Sequence, residues 1–258
     1  MPREHDKVWN AFIKRHFPAE RRLAKDVRGY FKDQWGTVRE NIERHPVKAL
    51  YKASNEEMIR NWRFEREEWE NLFKAMQAPH IEETVTIAGE AAFRDITGSA
   101  NDFELHTDDI DDFMKMKAAG AAKNINKTTT DFLNIAFDRL LEDGATTAQV
   151  VSATGKYFTY CGRFRGVMIA RTETTGCLNF GDTQADMQSG EIWGNEWIAA
   201  MDELTRYTHM DVNGQAVPLG ERFPVVQLEF PGDPTGDIAE IANCRCALFR
   251  LEKAPAGW

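Results

Sequence analysis

The chain has no apolar run near the roughly 20 residues that a membrane-spanning helix requires, so no span is expected and no membrane partner. Its start, MPREHDKVWNAF, is charged and has no apolar stretch of the secretory kind, so export by a signal peptide is not expected. The phosphate loops GxxxxGKS and GxGxxG are missing. So are HExxH and GxSxG, which removes the commonest hydrolase signatures. Cysteine is scarce: Cys161, Cys177, Cys244 and Cys246 are too few to build a scaffold of 258 residues from disulfides. There is no internal repeat and no low-complexity tract.

What is present suits an ordinary core. A hydrophobic share of 42% over 258 residues fits one large domain or two small ones. The net charge of −9 is unevenly spread. Residues 1–75 hold 17 Lys+Arg against 13 Asp+Glu, and residues 76–258 hold 15 against 28. The basic part reads first as solvated helix faces, with nucleic acid or an acidic partner as the sharper reading. The acidic part is a poor DNA surface, because binding a polyanion relies on Lys and Arg to release its counterions.

Residues 3–75 read as helices. Trp9, Phe12, Ile13 and Phe17 share helical spacing, and Leu23, Val27, Tyr30 and Phe31 continue it. Pro18 reads as a break and a new start, and Gly36 closes the second stretch. Trp9, Trp35, Trp62 and Trp69 give this part a high aromatic load, read as helix-on-helix packing ahead of a docking surface. His80–Phe93 reads as a helix stopped by Gly98-Ser99. Asp108, Asp109, Asp111 and Asp112 lack the EF-hand pattern and read as the acidic first turn of a helix.

Phe132, Leu133, Ile135, Ala136, Phe137, Leu140 and Leu141 form an apolar stripe that stops at Asp143-Gly144. Thr146 to Gln149 matches a capping box, opening a helix toward Tyr157 or Phe158. A third helix carries Phe164, Val167, Met168 and Arg171, bent or ended at Gly176, with Ser189-Gly190 closing the polar segment after it. After 190 the pattern turns to strands and turns. Strands are expected in 191–200, 224–230 and 247–251, with Asn213-Gly214 as a hairpin turn and Pro231 to Pro234 as another turn. Helices first and strands last define an α+β fold: a helix-rich N-terminal region followed by a smaller β-containing C-terminal core.

Three groups of residues carry candidate chemistry. Arg171 and Glu173 lie two apart on a helix, so they reach different partners, either exposed or as a buried anchor. Asp202, Arg206 and His209 lie four and three apart, which on a helix is one face. That set suits either acid–base work or a structural network, and the network is favoured. Cys244 and Cys246 point to one side of an extended segment. With His209 and either Cys161 or Cys177 they can form a tetrahedral zinc site, although one intervening residue is short for a structural zinc pair. Buried reduced thiols, with no cofactor at all, are the default.

The order Arg171-Thr172-Glu173, Trp197, Asp202, Thr205, Arg206, His209, Asn213-Gly214, Pro231-Gly232-Asp233-Pro234 and Asn243-Cys244-Arg245-Cys246 resembles the phage Mu F-like minor head protein family. The resemblance covers about residues 120–250. It implies a head morphogenesis protein of a tailed double-stranded DNA phage, inside the capsid at the portal vertex, present in the host cytoplasm during assembly. It implies the portal protein as partner, with scaffold, major capsid protein or packaged DNA as further ones, and a non-enzymatic role. The expected division is a helical docking region over 1–120 and a Mu F-like domain over 121–258. In this reading Asp202, Arg206 and His209 tie a helix to Asn243, Cys244, Arg245 and Cys246. The competing expectation is a metal-dependent or acid–base hydrolase using His209, Asp202, Cys244 and Cys246. A third is a DNA-binding accessory protein.

Overall fold

A computed structural model describes residues 4–47 and 54–256. Residues 3 and 48–53 of the expected helical stretch therefore lie outside the described residues. Phe12, Ala19, Leu23, Val27, Phe31, Val38 and Ile42 are buried and recur along one stripe. That stripe belongs to a single helix, α1 (Glu4–Arg44), so the breaks expected at Pro18 and Gly36 do not occur. An interior proline costs about 3 kcal/mol and an interior glycine about 1 kcal/mol. Burying the stripe on both sides of each residue outweighs those local losses.

The same holds for α3 (Arg66–Thr97), which runs through Pro79 and begins well before the expected His80. Gly98, at φ +84°, ends it as expected. Before it, α2 (Asn55–Trp62) is capped by the Ser54 hydroxyl, which accepts from Glu57 N. The acidic cluster opens α4 (Asp108–Glu142) as expected, and Gly144 at φ +69° lies just past its end. The Thr146–Gln149 capping box is formed at the start of α5 (Thr147–Tyr160). The helix α5 ends at Tyr160, two to three residues beyond the expected Tyr157 or Phe158. A five-residue π-helical turn, Cys161–Arg165, joins it to α6 (Gly166–Ser189), which runs on through Gly176 rather than ending there. Gly176 serves close approach instead: a Cβ there would meet Gly232 O at 2.6 Å and Lys117 Nζ at 2.7 Å.

The remaining elements are β1 (Gly194–Ile198), α7 (Tyr207–Val212), β2 (Ala216–Pro218), α8 (Ile238–Ile241) and β3 (Ala247–Leu251). The strands form an antiparallel sheet in the order β2-β1-β3. Gly194 faces Pro218 on one side and Leu251 on the other. The fold is α+β, helix-rich with a small C-terminal sheet.

Two turn-region expectations change. Residues 224–230 are no strand; only Phe223 and Leu228 bridge, and Gln227 sits at φ +56°. The alternating apolar residues there still enter the core, through Val226, Leu228 and Phe230. Asn213-Gly214 is not a two-residue hairpin either. Asn213 (φ −59°, ψ 125°) and Gly214 (φ +81°) form a type II turn that leads from α7 into β2, closed by Gln215 N to Val212 O at 2.9 Å.

Contacts divide the chain into two units: unit 1, residues 1–23, 78–117 and 168–258, and unit 2, residues 24–77 and 118–167. Each crossing falls inside α1, α3, α4 or α6. The boundary expected at 120/121 lies within α4 instead. Long helices contribute to both units, so neither unit is one contiguous stretch.

Unit 2 is helical. Trp62 packs edge-on against Phe137, and Tyr30 against Trp69 and Phe73. The Tyr30 hydroxyl has two acceptors within reach of its single proton, Asn126 Oδ1 at 2.7 Å and Trp69 O at 2.8 Å. Unit 1 holds the sheet, with a core of Trp197, Val212, Val217, Phe223, Val226, Leu228 and Ile241.

Candidate functional site

The polar residues singled out in the sequence all lie in unit 1. Their centre is the irregular segment 242–246, which comes after α8 and precedes β3. Such a segment carries backbone groups that no helix or strand pairs, and buried ones must find other partners. One face of α6 supplies them. Asn243 N donates to Thr172 Oγ1 at 2.8 Å, and Thr175 Oγ1 donates to Cys244 O at 2.7 Å. Asn179 Nδ2 donates to Cys246 O at 3.0 Å and to Pro231 O at 3.1 Å. Positions 172, 175 and 179 recur at helical spacing, so one face of α6 tracks the segment in order.

Arg171 fixes the start of the segment. Its guanidinium meets the Glu20 carboxylate through two 3.2 Å contacts and donates from Nη1 to Asn243 Oδ1 at 2.8 Å. Asn243 stands at φ +60°, a left-handed conformation that Asn tolerates better than most residues. The asparagine thus suits both the backbone turn and the arginine. Glu173 faces another way, 3.4 Å from Lys117 Nζ, and both side chains are buried. Arg171 and Glu173 therefore reach different partners, the buried-anchor form of the sequence reading.

His16 extends the network into α1. Its Nε2 lies 2.9 Å from Thr175 Oγ1. The Thr175 proton goes to Cys244 O, so the ring must be the donor and carries its proton on Nε2. Burial, then the charge of Arg171, pushes the His16 pKa down to about 4.

Asp202, Arg206 and His209 do not share a helix face, because α7 starts only at Tyr207 and Arg206 is its N-cap. Thr205 Oγ1 and Leu204 N donate to Asp202 Oδ1, which holds residues 202–205 as a turn. Each of the three instead reaches the segment around α8 separately. Asp202 pairs with Arg245 and Arg206 donates to Ala242 O. Although slight burial acts to raise it, the Asp202 pKa is lowered by the Leu204 N–H and Arg245. His209 lies beside both thiols, with Nδ1 3.3 Å from Cys246 Sγ and 3.7 Å from Cys244 Sγ. Its Nε2 is 3.2 Å from Glu240 Oε2, without hydrogen-bond alignment, and Glu240 also accepts from Thr208 Oγ1 at 2.8 Å.

His209, Cys244 and Cys246 are buried, and one ligating atom from each falls within 4.8 Å of the others, so the group can hold a metal ion. A hydrogen bond from Cys244, together with His209 and the Ala200 N–H, holds the Cys246 thiol well below its usual pKa despite burial. The same hydrogen bond and burial push Cys244 well above it. The pair thus favours one thiolate and one thiol. None of the four cysteines is in a disulfide. Cys161 and Cys177 do not join the metal-capable group among the described residues. Cys161 belongs to unit 2. Cys177 lines a small cavity with Leu23, Ile81 and Glu173, and burial pushes its thiol up to about 12.

Trp197 is fully buried and sets its ring edge-on to His209, with centroids 5.2 Å apart. The sequence reading missed Glu20, Thr175, Asn179 and Glu240. Thr175 and Asn179 repeat at helical spacing after Arg171, which is a signal, but nothing in a sequence pairs them with residue 244 or 246.

No family model, no curated protein and no solved structure matches the chain. Among the described residues no helix is long and apolar enough to cross a membrane.

Proposed function

We propose that this chain is a minor head protein of a tailed double-stranded DNA phage, placed in the capsid interior at the portal vertex and acting in head morphogenesis or DNA ejection. The observation that carries the reading is how the Mu F-like motif residues are used. Arg171, Thr172, Asp202, Arg206, Asn243 and Arg245 bind one another or neighbouring backbone within unit 1, and His209 lies against the two cysteine thiols. Such residues hold a fold and leave little polar machinery for a substrate. Asp202 is engaged by Arg245 rather than set beside His209, which weakens the acid–base hydrolase alternative. Zinc, if held by His209, Cys244 and Cys246, would brace this network, since all three residues are buried.

Partner contact then falls to other surfaces. Unit 2 holds 17 Lys+Arg against 14 Asp+Glu, while unit 1 holds 15 against 27. Unit 2 also has a groove of about 260 Å³ lined by Phe132, Leu133, Ile135, Leu140 and Tyr157. Ile135 is 57% exposed and Phe132 46%. These features suit docking to the portal, scaffold or major capsid protein better than DNA binding, because the basic excess is small. The test is co-expression of the full chain with a portal protein from the same genome, then purification. Association with portal or assembled heads, lost in Ile135→Glu, is the expected result. A folded chain that never associates with either overturns the reading.

A further inference from the structure

We infer that His209, Cys244 and Cys246 form a zinc site, with Nδ1 and the two Sγ atoms as ligands and Glu240 as the carboxylate that orients the histidine. The inference goes beyond the head-protein reading and holds whether or not the chain binds a portal.

Distance is the first argument. Tetrahedral zinc bonds of about 2.3 Å to sulfur and about 2.0 Å to nitrogen set a sulfur and a nitrogen about 3.6 Å apart. The two separations here, 3.3 and 3.7 Å, bracket that value. Two sulfurs on one zinc stand about 3.8 Å apart, and the three ligating atoms lie within 4.8 Å of one another. The single residue between the cysteines is no obstacle, because an extended segment puts side chains i and i+2 on one side. The α6 clasp on Cys244 O and Cys246 O holds the segment in that form.

Charge is the second argument. The surroundings are apolar: Trp197, Val212, Phe223 and Ile241 share the core with both cysteines. A lone divalent ion or a lone thiolate is costly there. Two thiolates and a neutral imidazole around Zn²⁺ sum to zero charge, so the filled site is the form that suits burial. Binding to the thiol forms releases one proton from each thiol that carries one. Soft sulfur ligands also select against magnesium and calcium, which prefer oxygen.

The surrounding shell is the third argument. With Nδ1 on the metal, the imidazole proton sits on Nε2, where Glu240 Oε2 waits at 3.2 Å. The pair is close but not aligned for a hydrogen bond in this structure, and a small turn of the ring completes the carboxylate–histidine–metal arrangement that fixes tautomer and ring direction. Cys246 N lies 3.4 Å from Cys244 Sγ and donates to it, as a coordinated thiolate requires. Among the described residues no fourth protein ligand joins the group, which leaves that position to water or another small ligand.

The test uses the full chain without a histidine tag, purified under reducing conditions. Metal analysis should find about one zinc per chain, and cobalt substitution should give the intense visible bands of tetrahedral sulfur-ligated Co²⁺. Cys246→Ser and His209→Ala should lose the metal, whereas Cys177→Ser should keep it. Glu240→Gln leaves every ligand in place and should weaken zinc in chelator competition by about 10- to 100-fold while still filling at saturation. Wild-type protein that is folded, titrates four free thiols and takes up neither zinc nor cobalt overturns the site. Stoichiometric iron or copper in place of zinc overturns the choice of ion. Unchanged zinc affinity in Glu240→Gln overturns the orienting role.

Discussion

Unit 1 and unit 2 draw on the same long helices but are held together by different means. In unit 2 the helices pair their own backbone groups, and aromatic packing does the rest: Trp62 on Phe137, Tyr30 on Trp69, Trp35 on Phe158. In unit 1 the loops of residues 229–246 bury backbone that no regular element pairs. Side chains answer for it, including Thr172, Thr175, Asn179 and Asp233. Among the described residues, every buried charged or imidazole side chain lies in unit 1: His16, Glu20, Lys117, Glu173, Asp182, Asp186, His209 and Asp233. Buried irregular chain draws in charged and imidazole side chains, whereas the helix-on-helix packing of unit 2 buries only neutral polar ones such as Gln34 and Asn126.

That contrast can be broken by substitution. The largest loss should come from the unit 2 core, where Trp62→Ala removes a fully buried ring and should cost about 3–5 kcal/mol in urea unfolding. Its hydrogen-exchange signature should be loss of protection around Phe137. In unit 1, Arg171→Ala strips the partner from a nearly buried Glu20 and frees Asn243. A cost of about 2–4 kcal/mol is expected, and Arg171→Lys should restore only part of it, because an ammonium lacks the planar fork. Exchange should rise in residues 240–246. Equal exchange changes across both units in either variant would erase the distinction.

Acid should act on unit 1 through His16. Its pKa is about 4 when folded, against an ordinary value of 6.5. Between those values the unfolded chain binds the extra proton, so stability present above pH 6.5 is lost as pH falls toward 4. The loss attributable to this one residue is on the order of 3 kcal/mol. Asp186 works in the opposite sense. Burial, partly offset by Arg250, raises its pKa to about 7 from 3.8, so its contribution is lost as pH rises through that window. Denaturation curves across pH 4–7 should show a shallower acid loss for His16→Gln and a steeper one for Asp186→Asn.

Smaller effects separate geometry from bonding. Asn243→Gly keeps the left-handed turn and loses the bond from Arg171, an expected cost of about 1 kcal/mol. Asn243→Ala adds strain of about 1–2 kcal/mol. Equal melting temperatures for the two would refute the role given to the turn. The smallest change, about 0.5 kcal/mol, should come from Thr146→Ala at the exposed unit 2 capping box.

Much of this design is legible in the order of residues. The stop at Gly98, the acidic start of α4, the capping box at Thr146 and strands β1 and β3 are local, fixed by residues within a turn of each other. The expectations that fail are local rules overruled from outside. Pro18 and Gly36 have the chemistry of breaks, yet a buried stripe continues past each. Residues 224–230 alternate like a strand, yet Gln227 turns left-handed and only one bridge forms. The candidate residues can be named from their order, and His209 grouped with Cys244 and Cys246, but the individual polar pairs cannot be assigned. Asp202 has the spacing of a helical partner for Arg206, and its partner is Arg245, across the α7–α8 loops.

The α+β class, most helix ends and the identity of the polar residues are set by the chain's own order, because capping, periodicity and turn chemistry act over a few residues. Which helices run unbroken, how the chain divides into two interleaved units, and that His209 meets Cys244 and Cys246 are settled only in three dimensions. Those outcomes depend on burial and on the pairing of distant backbone groups, where the energy comes from contacts between residues far apart in the chain.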